Sequence, residues 1–266
     1  MKIAALQISS IGLGQNRLDY YLRICDAKGI RVLLLGEYVL NRFFHELPDI
    51  PKNMILQQTN TQLEALKQLS KIYNVAIVAP VVRVLKEKVY KSVAVVRNSK
   101  TSFYNQQILI NYRHWNEERF FDNELQELKA PQIFRVDEFR FGVLPAFETH
   151  FDYFWQQFMK KDVDVVLVPS VNTFNSGDRW QELLKMRAFV NSCYLLRANR
   201  IGEYKDKNGH SWEFYGESMF INPEGEVVDS LKNSEEMLIA ALDKDLIKEA
   251  RSRWGFKAAL KKRGAL

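Results

Sequence analysis

The sequence predicts an α/β fold in which a mixed β-sheet is covered by α-helices. Short runs of apolar, often β-branched residues alternate with segments of helical periodicity along the 266 residues, the order expected of strands that are connected through helices. Turn-like segments separate some strands directly, which places antiparallel hairpins within the sheet. Apolar residues make up 47% of the chain and charged residues 26%, so a substantial core is possible and global disorder is excluded.

The first half of the chain contains five predicted strands and two predicted helices. Strands are expected at 2–8, 31–35, 75–84, 89–97 and 101–109, and helices at 16–27 and 59–72. The strand at 31–35 is of the buried type, and the last three strands form successive antiparallel pairs. The helical stripe of Leu18, Leu22 and Cys25 predicts that Cys25 lies in the core.

The second half repeats this alternation of strands and helices. Strands are expected at 139–144, 163–168, 194–199, 218–221, 226–229 and 235–242, helices at 151–161, 180–191 and 244–254, and a hairpin through 205–210. No low-complexity linker interrupts these elements. We therefore predict one domain over residues 1–254, followed by a basic tail at 255–266.

The net charge of +6 is concentrated in one segment. Residues 251–266 contain six basic and no acidic side chains, which leaves 32 basic and 32 acidic residues over 1–250. A local basic strip on a neutral body is unlike the charged groove of a nucleic-acid-binding protein. We expect no nucleic-acid partner.

Other features of the sequence favour a cytoplasmic protein without a membrane or metal partner. No apolar run approaches the ~18 residues that a membrane span needs, and the apolar stretch at the N-terminus is too short for a signal peptide. The two cysteines cannot form a disulfide framework or a CxxC metal clip, and the four histidines lack metal-ligand spacing.

Three places could carry chemistry on physical grounds alone. Glu37 follows the buried strand at 31–35, where a carboxylate can serve as a base; a capping role in the next loop is the alternative. The corner after the strand at 139–144 is where a nucleophile elbow would place its side chain, yet it offers only Pro145 and Ala146. The segment 111–121 is dense in polar and aromatic groups, which also fits a surface loop with buried anchors.

Six linked segments resemble the nitrilase superfamily, the carbon–nitrogen hydrolases, over residues 2–254. They are KIAALQ at 2–7, LLLGE at 33–37, DVVLVPS at 164–170, Trp180 with RAFVN at 187–191, ANRIG at 198–202 and GESMFINPEGE at 216–226. The resemblance implies a four-layer αββα sandwich of two mixed sheets flanked by helices, and a homodimer. It also implies a small amide, nitrile or carbamoyl-type ligand and no metal or organic cofactor.

The family's chemistry uses four groups. A Cys attacks the carbon, one Glu takes the thiol proton, a Lys stabilises the developing oxyanion, and a second Glu orients the site. A thiol of pKa ~8.5 needs a base to be nucleophilic at neutral pH, and a fixed donor to the oxyanion contributes roughly 3–4 kcal/mol.

Two of these four groups are missing when the family's pattern is carried onto this sequence. The first Glu falls on Glu37 and the second on Glu117, or on Glu118 if the register shifts by one. The Lys position holds Gln106, and the Cys position holds Ala146. The resemblance further suggests three binding residues, namely Glu148, Trp115 and Asn172.

Other residues could replace the missing cysteine and lysine only with a change of position or environment. Cys25 and Cys193 lie in predicted core positions, Thr149 would need a different backbone path, and Lys91 or Lys100 would have to be a displaced lysine. Without a nearby lysine, Glu37 and Glu117 are expected to repel each other and to retain a proton near neutrality. Such a pocket would prefer a neutral polar or cationic ligand.

Three hypotheses for function follow. The first is a pseudoenzyme that binds a small amide-like ligand or a partner without forming an acyl-enzyme. The second is an active amidase or carbamoyl hydrolase, which requires either that Ala146 was introduced in place of a natural cysteine or that Glu37 activates water. The third is a dimeric interaction protein, for which a filled apolar volume is expected around Ala146.

Overall fold

The computed structural model describes residues 1–11, 15–206 and 209–266. The strands are β1 (Lys2–Gln7), β2 (Ile30–Leu35), β3 (Ala76–Leu85), β4 (Lys88–Arg97), β5 (Lys100–Asn105), β6 (Asn111–Tyr112), β7 (Trp115–Asn116), β8 (Ile133–Val136), β9 (Phe139–Val143), β10 (Val165–Ser170), β11 (Tyr194–Asn199), β12 (Ile201–Lys205), β13 (Ser211–Tyr215), β14 (Met219–Ile221), β15 (Val227–Ser230) and β16 (Glu236–Ala241). The helices are α1 (Gln15–Lys28), α2 (Lys52–Tyr73), α3 (Asp152–Lys160), α4 (Gly177–Asn191), α5 (Lys244–Trp254) and α6 (Phe256–Lys261), with 3₁₀ turns at Leu47–Asp49 and Ala146–His150.

Most strands belong to two six-stranded mixed sheets. The first has the order β16-β1-β2-β3-β4-β5 and the second the order β15-β14-β11-β10-β9-β8. In the first sheet β1, β2 and β3 run parallel, and in the second β9, β10 and β11 do so. The remaining neighbours pair antiparallel, so both sheets are mixed as predicted.

The two sheets pack face to face and each carries helices on its outer face. Alternate side chains of a strand point to opposite faces, so Val32 and Leu34 share a core with Val165 and Leu167 of the other sheet. Leu33 faces outward and packs with side chains of α1 and α2. Residues of α3 and α4 pack in the same way on the second sheet. This confirms the predicted four-layer αββα sandwich.

The structure corrects several predicted boundaries. The strand expected at 101–109 ends at Asn105, and the helix expected from residue 59 begins at Lys52, directly after Pro51. Proline fits the start of a helix because no backbone N–H is needed there. The strand β8 and the short hairpin β6–β7 were not predicted. The hairpin expected through 205–210 is present as β12 and β13, although residues 207 and 208 lie outside the described part of the chain.

Residues 255–266 include the short helix α6. The Phe256 ring contacts Phe189 of α4 with centroids 5.5 Å apart, and the Lys257 ammonium lies 2.5 Å from an Asp162 carboxylate oxygen. The division into a domain at 1–254 and a tail at 255–266 stays a prediction. None of the helices described is long and apolar enough to cross a membrane.

Candidate active site

Glu37 is held where the carboxyl ends of the two sheets meet. β2 ends at Leu35, and the Glu37 backbone N–H donates to the Ser170 carbonyl, at the end of β10, at 3.0 Å. Gly36 lets the two chain segments approach closely, because a Cβ atom there would lie 3.0 Å from the Arg200 backbone nitrogen and 3.2 Å from the Ser170 carbonyl oxygen. This close approach leaves the Glu37 side chain buried between the sheets, with 4% of the residue exposed.

A lysine joins the two carboxylates predicted for the site. The Lys91 ammonium on β4 lies 2.8 Å from Glu37 Oε2 and 2.7 Å from Glu117 Oε1. The Tyr38 hydroxyl also donates to Glu117 Oε1, at 3.0 Å. All four residues are buried, so these charges interact in a medium that screens them far less than water does. We refer to Glu37, Lys91 and Glu117 as the ionic triad.

Glu117, and not its neighbour Glu118, belongs to the triad. The Glu117 backbone N–H donates to the Ile110 carbonyl at 2.8 Å, which fixes the end of the β6–β7 hairpin against the preceding loop. The Glu118 side chain instead accepts a hydrogen bond from Asn111 Nδ2 at 2.7 Å, on the exposed side of the hairpin. The register that places Glu117 inward therefore agrees with the geometry.

Burial and the neighbouring charges set the protonation of the triad. Burial raises the pKa of Glu37 to about 6, and the Glu117 charge adds to this, while Lys91 and a hydrogen bond from the Ala146 backbone N–H oppose it. Burial lowers the pKa of Lys91, but the two carboxylates outweigh that effect and leave it above its ordinary value. Lys91 is therefore an ammonium at neutral pH, and Glu37 can accept a proton close to neutrality.

Ala146 lies beside Glu37, at the corner where the family places its cysteine. β9 ends at Val143 and the chain turns through Pro145 into the 3₁₀ helix Ala146–His150. The Ala146 backbone N–H donates to the Glu37 carboxylate, so the methyl group lies at the edge of the ionic triad. The predicted elbow is present, but it carries no sulfur or hydroxyl group.

Gln106 does not take the place of the ammonium. Its side-chain Nε2 donates to the Ile108 carbonyl at 2.8 Å. Gln106 does not line the cavity that Glu37, Lys91 and Ala146 share. The cation comes from Lys91 instead. The expectation that Glu37 and Glu117 face each other without a nearby lysine is therefore wrong. The preference for a neutral polar or cationic ligand loses this argument and stays a prediction.

The family pattern predicts Lys91 only as a displaced lysine. Strand alternation is a sharper signal, because it predicts that the Lys91 side chain faces inward. Residues 91, 93 and 95 of one strand point to the same face, and Val93 and Val95 belong to the core between the sheets. A lysine in line with two core valines must find buried partners. Lys100, the other displaced candidate, is exposed at the start of β5.

The other candidate nucleophiles lie away from Glu37. Cys25 packs in the core under α1 and α2, and Cys193 packs in the core under α3 and α4. Burial raises the pKa of each thiol to about 12, so neither is reactive. The Thr149 hydroxyl donates to the Ala146 carbonyl at 2.6 Å. None of these three side chains lines the cavity.

Glu148 supports the site and does not face the cavity. Its Oε1 accepts hydrogen bonds from the backbone N–H groups of Gln107, at 2.5 Å, and Ile108, at 3.0 Å. Its Oε2 accepts one from the Tyr104 hydroxyl at 2.8 Å. Burial raises the pKa of Glu148 to about 7, against the effect of these hydrogen bonds. Glu148 thus ties the loop after β5 to the corner that holds Ala146, which differs from the predicted binding role.

Trp115 and Asn172, the other two predicted binding residues, do line the cavity. Trp115 is buried and contacts Phe43, with ring centroids 5.2 Å apart, and Phe174, with centroids 6.0 Å apart. The Asn172 Oδ1 atom accepts a hydrogen bond from buried Arg197 at 2.6 Å, which fixes the orientation of the amide. Arg197 is a positioning residue that the sequence did not reveal.

The ionic triad opens onto a cavity of about 450 Å³. Glu37, Lys91 and Ala146 line its inner end, and aromatic side chains form much of its wall: Tyr112, Trp115, Phe147, Phe174 and Trp180. This volume is suited to a small molecule. Ala146 belongs to the apolar cluster under α3 and α4 and also lines this cavity, so the volume beside it is not completely filled. No group of three or more His, Cys, Asp or Glu side chains that could hold a metal ion occurs among the residues described.

Two stacked mixed sheets flanked by helices thus enclose a buried Glu-Lys-Glu group. The sequence profile of the carbon-nitrogen hydrolase family matches residues 3–252. The chain belongs to this family, within the nitrilase superfamily.

Similarity to individual proteins agrees with this assignment. An N-carbamoylputrescine amidase from Arabidopsis thaliana is 22% identical over 249 residues, which cover 88% of this chain and 82% of that protein. A deaminated glutathione amidase from Synechocystis sp. is 27% identical over 128 residues, 47% of this chain; the match spans only 45% of the relative's length.

Solved structures share the fold at low sequence identity. A carbon-nitrogen hydrolase from Helicobacter pylori G27 superimposes with a TM-score of 0.83 at 18% identity, covering 96% of this chain and 94% of the other. A mutant of an amidase from Nesterenkonia sp. AN1, in which a cysteine is replaced by alanine, gives a TM-score of 0.75 at 18% identity, with 96% and 95% covered.

Proposed function

We propose that this protein is a degenerate carbon–nitrogen hydrolase that binds a small amide-, nitrile- or carbamoyl-type ligand without forming an acyl-enzyme. The observation that carries the proposal is the methyl group of Ala146 beside an otherwise assembled ionic triad. Loss of a nucleophile alone removes orders of magnitude in rate, while binding and oxyanion donors remain. The names of the relatives, which are amidases, support an amide-type ligand.

The retained groups suit a carbonyl ligand. An ammonium has three donors, and Lys91 directs two toward Glu37 and Glu117. The third is left for a carbonyl oxygen in the cavity that Lys91 lines. Glu37 accepts a hydrogen bond from the N–H of a bound amide when it is ionised. The carbon of that amide then lies near Ala146, whose side chain has no nucleophilic atom to attack it.

A second candidate is hydrolysis by water that Glu37 activates. The raised pKa of Glu37, about 6, favours this because a general base works best when its pKa lies near the working pH. Turnover of amides that disappears in the Glu37→Gln variant would identify this activity. The open cavity makes a purely structural role the least favoured hypothesis.

We also infer from the family resemblance that the protein is a cytoplasmic homodimer without an organic cofactor. Sedimentation velocity of the full chain tests the dimer. A single species at twice 31.2 kDa supports it, and a monomer at all concentrations contradicts it.

Filling the space at Ala146 should weaken ligand binding. In the Ala146→Leu variant the larger side chain projects into the cavity beside Glu37 and Lys91, so we expect at least a tenfold loss of affinity for butyramide by calorimetry. Ala259→Leu, at an exposed position of α6, is the matched control and should bind normally. Equal binding by the wild type and the Ala146→Leu variant would show that amides do not occupy this cavity.

A further inference from the structure

A second cavity lies at the end of the sandwich opposite to Glu37. It is a groove of about 560 Å³ at the beginnings of the parallel strands β2 and β3, whereas Glu37 follows the end of β2. Strands of both sheets contribute basic side chains to its wall. We call this cavity the basic groove after these four residues: Arg31 of β2, Arg97 of β4, Lys100 of β5 and Arg135 of β8.

Most of the positive charge in the basic groove is uncompensated. Asp137 is the only acidic residue that lines it in the described part of the chain, and its carboxylate lies 3.4 Å from Arg31 Nε. The other three cations form no ion pair with any described residue. The groove therefore presents a local excess of positive charge on an otherwise nearly neutral body, which favours an anionic ligand.

Backbone carbonyl groups hold the three guanidinium groups in place. Arg31 Nη1 donates to the Asn74 carbonyl at 3.0 Å, and Arg135 Nε donates to the Asp137 carbonyl at 3.0 Å. Arg97 Nη1 donates to the Arg135 carbonyl, so it reaches from the first sheet to the second. A guanidinium has five N–H donors, so each of these groups keeps donors for a ligand. Because their positions are already fixed, they lose little conformational freedom on binding.

Like charges face each other at this edge of the first sheet. Arg97 and Lys100 are directly opposite in the antiparallel pair of β4 and β5, an arrangement that destabilises a sheet. The Arg97 contact with the Arg135 backbone brings a further cation from the second sheet to the same groove. A bound anion would remove this repulsion.

The rest of the lining limits the class of anion. It includes small aliphatic side chains, such as Val95 and Val136, and no aromatic ring among the described residues, so a nucleobase finds no ring to stack on. A carboxylate carries one negative charge, whereas two linked phosphate groups carry about three at neutral pH and offer more oxygen atoms. Such a group matches three unpaired cations better than a carboxylate does.

We propose that the basic groove is a second ligand site, which binds a compact diphosphate. Arg97, Lys100 and Arg135 donate to the phosphate oxygens, and the ligand lies between the edges of the two sheets. The proposal is independent of the proposed function, because among the described residues the groove shares no lining residue with the cavity at Glu37.

Three phosphate compounds test the proposal in calorimetric titrations of the full chain. They are pyrophosphate, inorganic phosphate and ADP, each in metal-free buffer at neutral pH and constant ionic strength. Pyrophosphate should bind at a single site per chain, roughly tenfold more tightly than inorganic phosphate. ADP should bind no more tightly than pyrophosphate, since its adenine gains no stacking contact.

Variants show whether the groove is the site. Arg97→Gln and Arg135→Gln should each lower the pyrophosphate affinity by about tenfold. Lys100→Gln, at an exposed position, should also lower it and serves if an arginine variant fails to fold. Arg119→Gln is the matched control, because Arg119 is exposed and lies outside the groove; it should bind pyrophosphate as the wild type does.

Three results would overturn the proposal. The first is the absence of saturable pyrophosphate binding by the wild type. The second is an equal loss in the Arg97→Gln and Arg119→Gln variants, which would indicate general attraction to a basic protein. The third is ADP binding more than about tenfold tighter than pyrophosphate, which would require contacts to the base. The Ala146→Leu variant should bind pyrophosphate normally, so a failure of amide binding leaves this test unaffected.

Discussion

The single substitution Ala146→Cys should convert this protein into one that forms an acyl-enzyme. The new thiol would lie beside Glu37, whose pKa of about 6 lets it accept the thiol proton, and near the Lys91 ammonium, which stabilises the oxyanion. Intact-mass spectrometry after incubation with a small amide or its ester should show one acyl group per chain. Cys25 and Cys193 are buried with raised pKa values, so they will not react.

Adding Gln106→Lys to Ala146→Cys tests whether residue 91 or residue 106 supplies the positive charge. If Lys91 is the oxyanion donor, Ala146→Cys alone is sufficient and adding Gln106→Lys brings no gain. Adding Glu37→Gln to Ala146→Cys should slow acylation by orders of magnitude, because the thiol then lacks its base. If only the double variant with both Ala146→Cys and Gln106→Lys becomes acylated, the role assigned to Lys91 is wrong.

Replacing Lys91 by methionine should produce the largest loss of stability. The substitution removes the ammonium between two buried carboxylates and leaves them uncompensated, which typically costs about 3–5 kcal/mol. Urea unfolding at pH 7 measures this loss. Lys100→Met, on the neighbouring strand and exposed, removes the same charge and should change the free energy of unfolding by less than about 0.5 kcal/mol.

The loss in the Lys91→Met variant should depend on pH. The pKa of Glu37 already lies above its ordinary value of 4.5, and removing Lys91 raises it further. The folded state then binds more protons than the unfolded state above pH 4.5, so stability falls as the pH rises. We expect the difference in unfolding free energy between the wild type and the variant to become smaller as the pH falls from 7 to 5. A loss below about 1 kcal/mol at pH 7 would contradict a charged Lys91 in the triad.

The sequence predicted the fold well because its signals are local. Alternate side chains of β2 enter two different cores, Val32 on one side and Leu33 on the other. A single apolar run in the sequence predicts this. Glu37 could also be predicted, since it directly follows that strand. Boundaries were less accurate where tertiary contacts decide them, as at Asn105, where the chain leaves β5 and Glu148 binds the next loop.

The order of segments in the sequence could not identify Lys91 as the positively charged residue of the site, because its position there depends on strand pairing. The Gln106 backbone N–H donates to the Lys91 carbonyl at 3.0 Å, so the antiparallel pairing of β4 and β5 places the two residues side by side. Lys91 therefore reaches both carboxylates from the neighbouring strand, at a position that the order of segments does not indicate. The contacts of Asn172 with Arg197 likewise join elements that no local pattern connects.

The wild-type chain incubated with an amide labelled with ¹³C at its carbonyl carbon tests the central claim most directly. We predict that the NMR spectrum shows saturable binding of the amide and no labelled acid above the rate in buffer. Labelled acid that forms in the presence of the wild-type protein, and does not form with the Glu37→Gln variant, would contradict the claim that this site binds but does not hydrolyse.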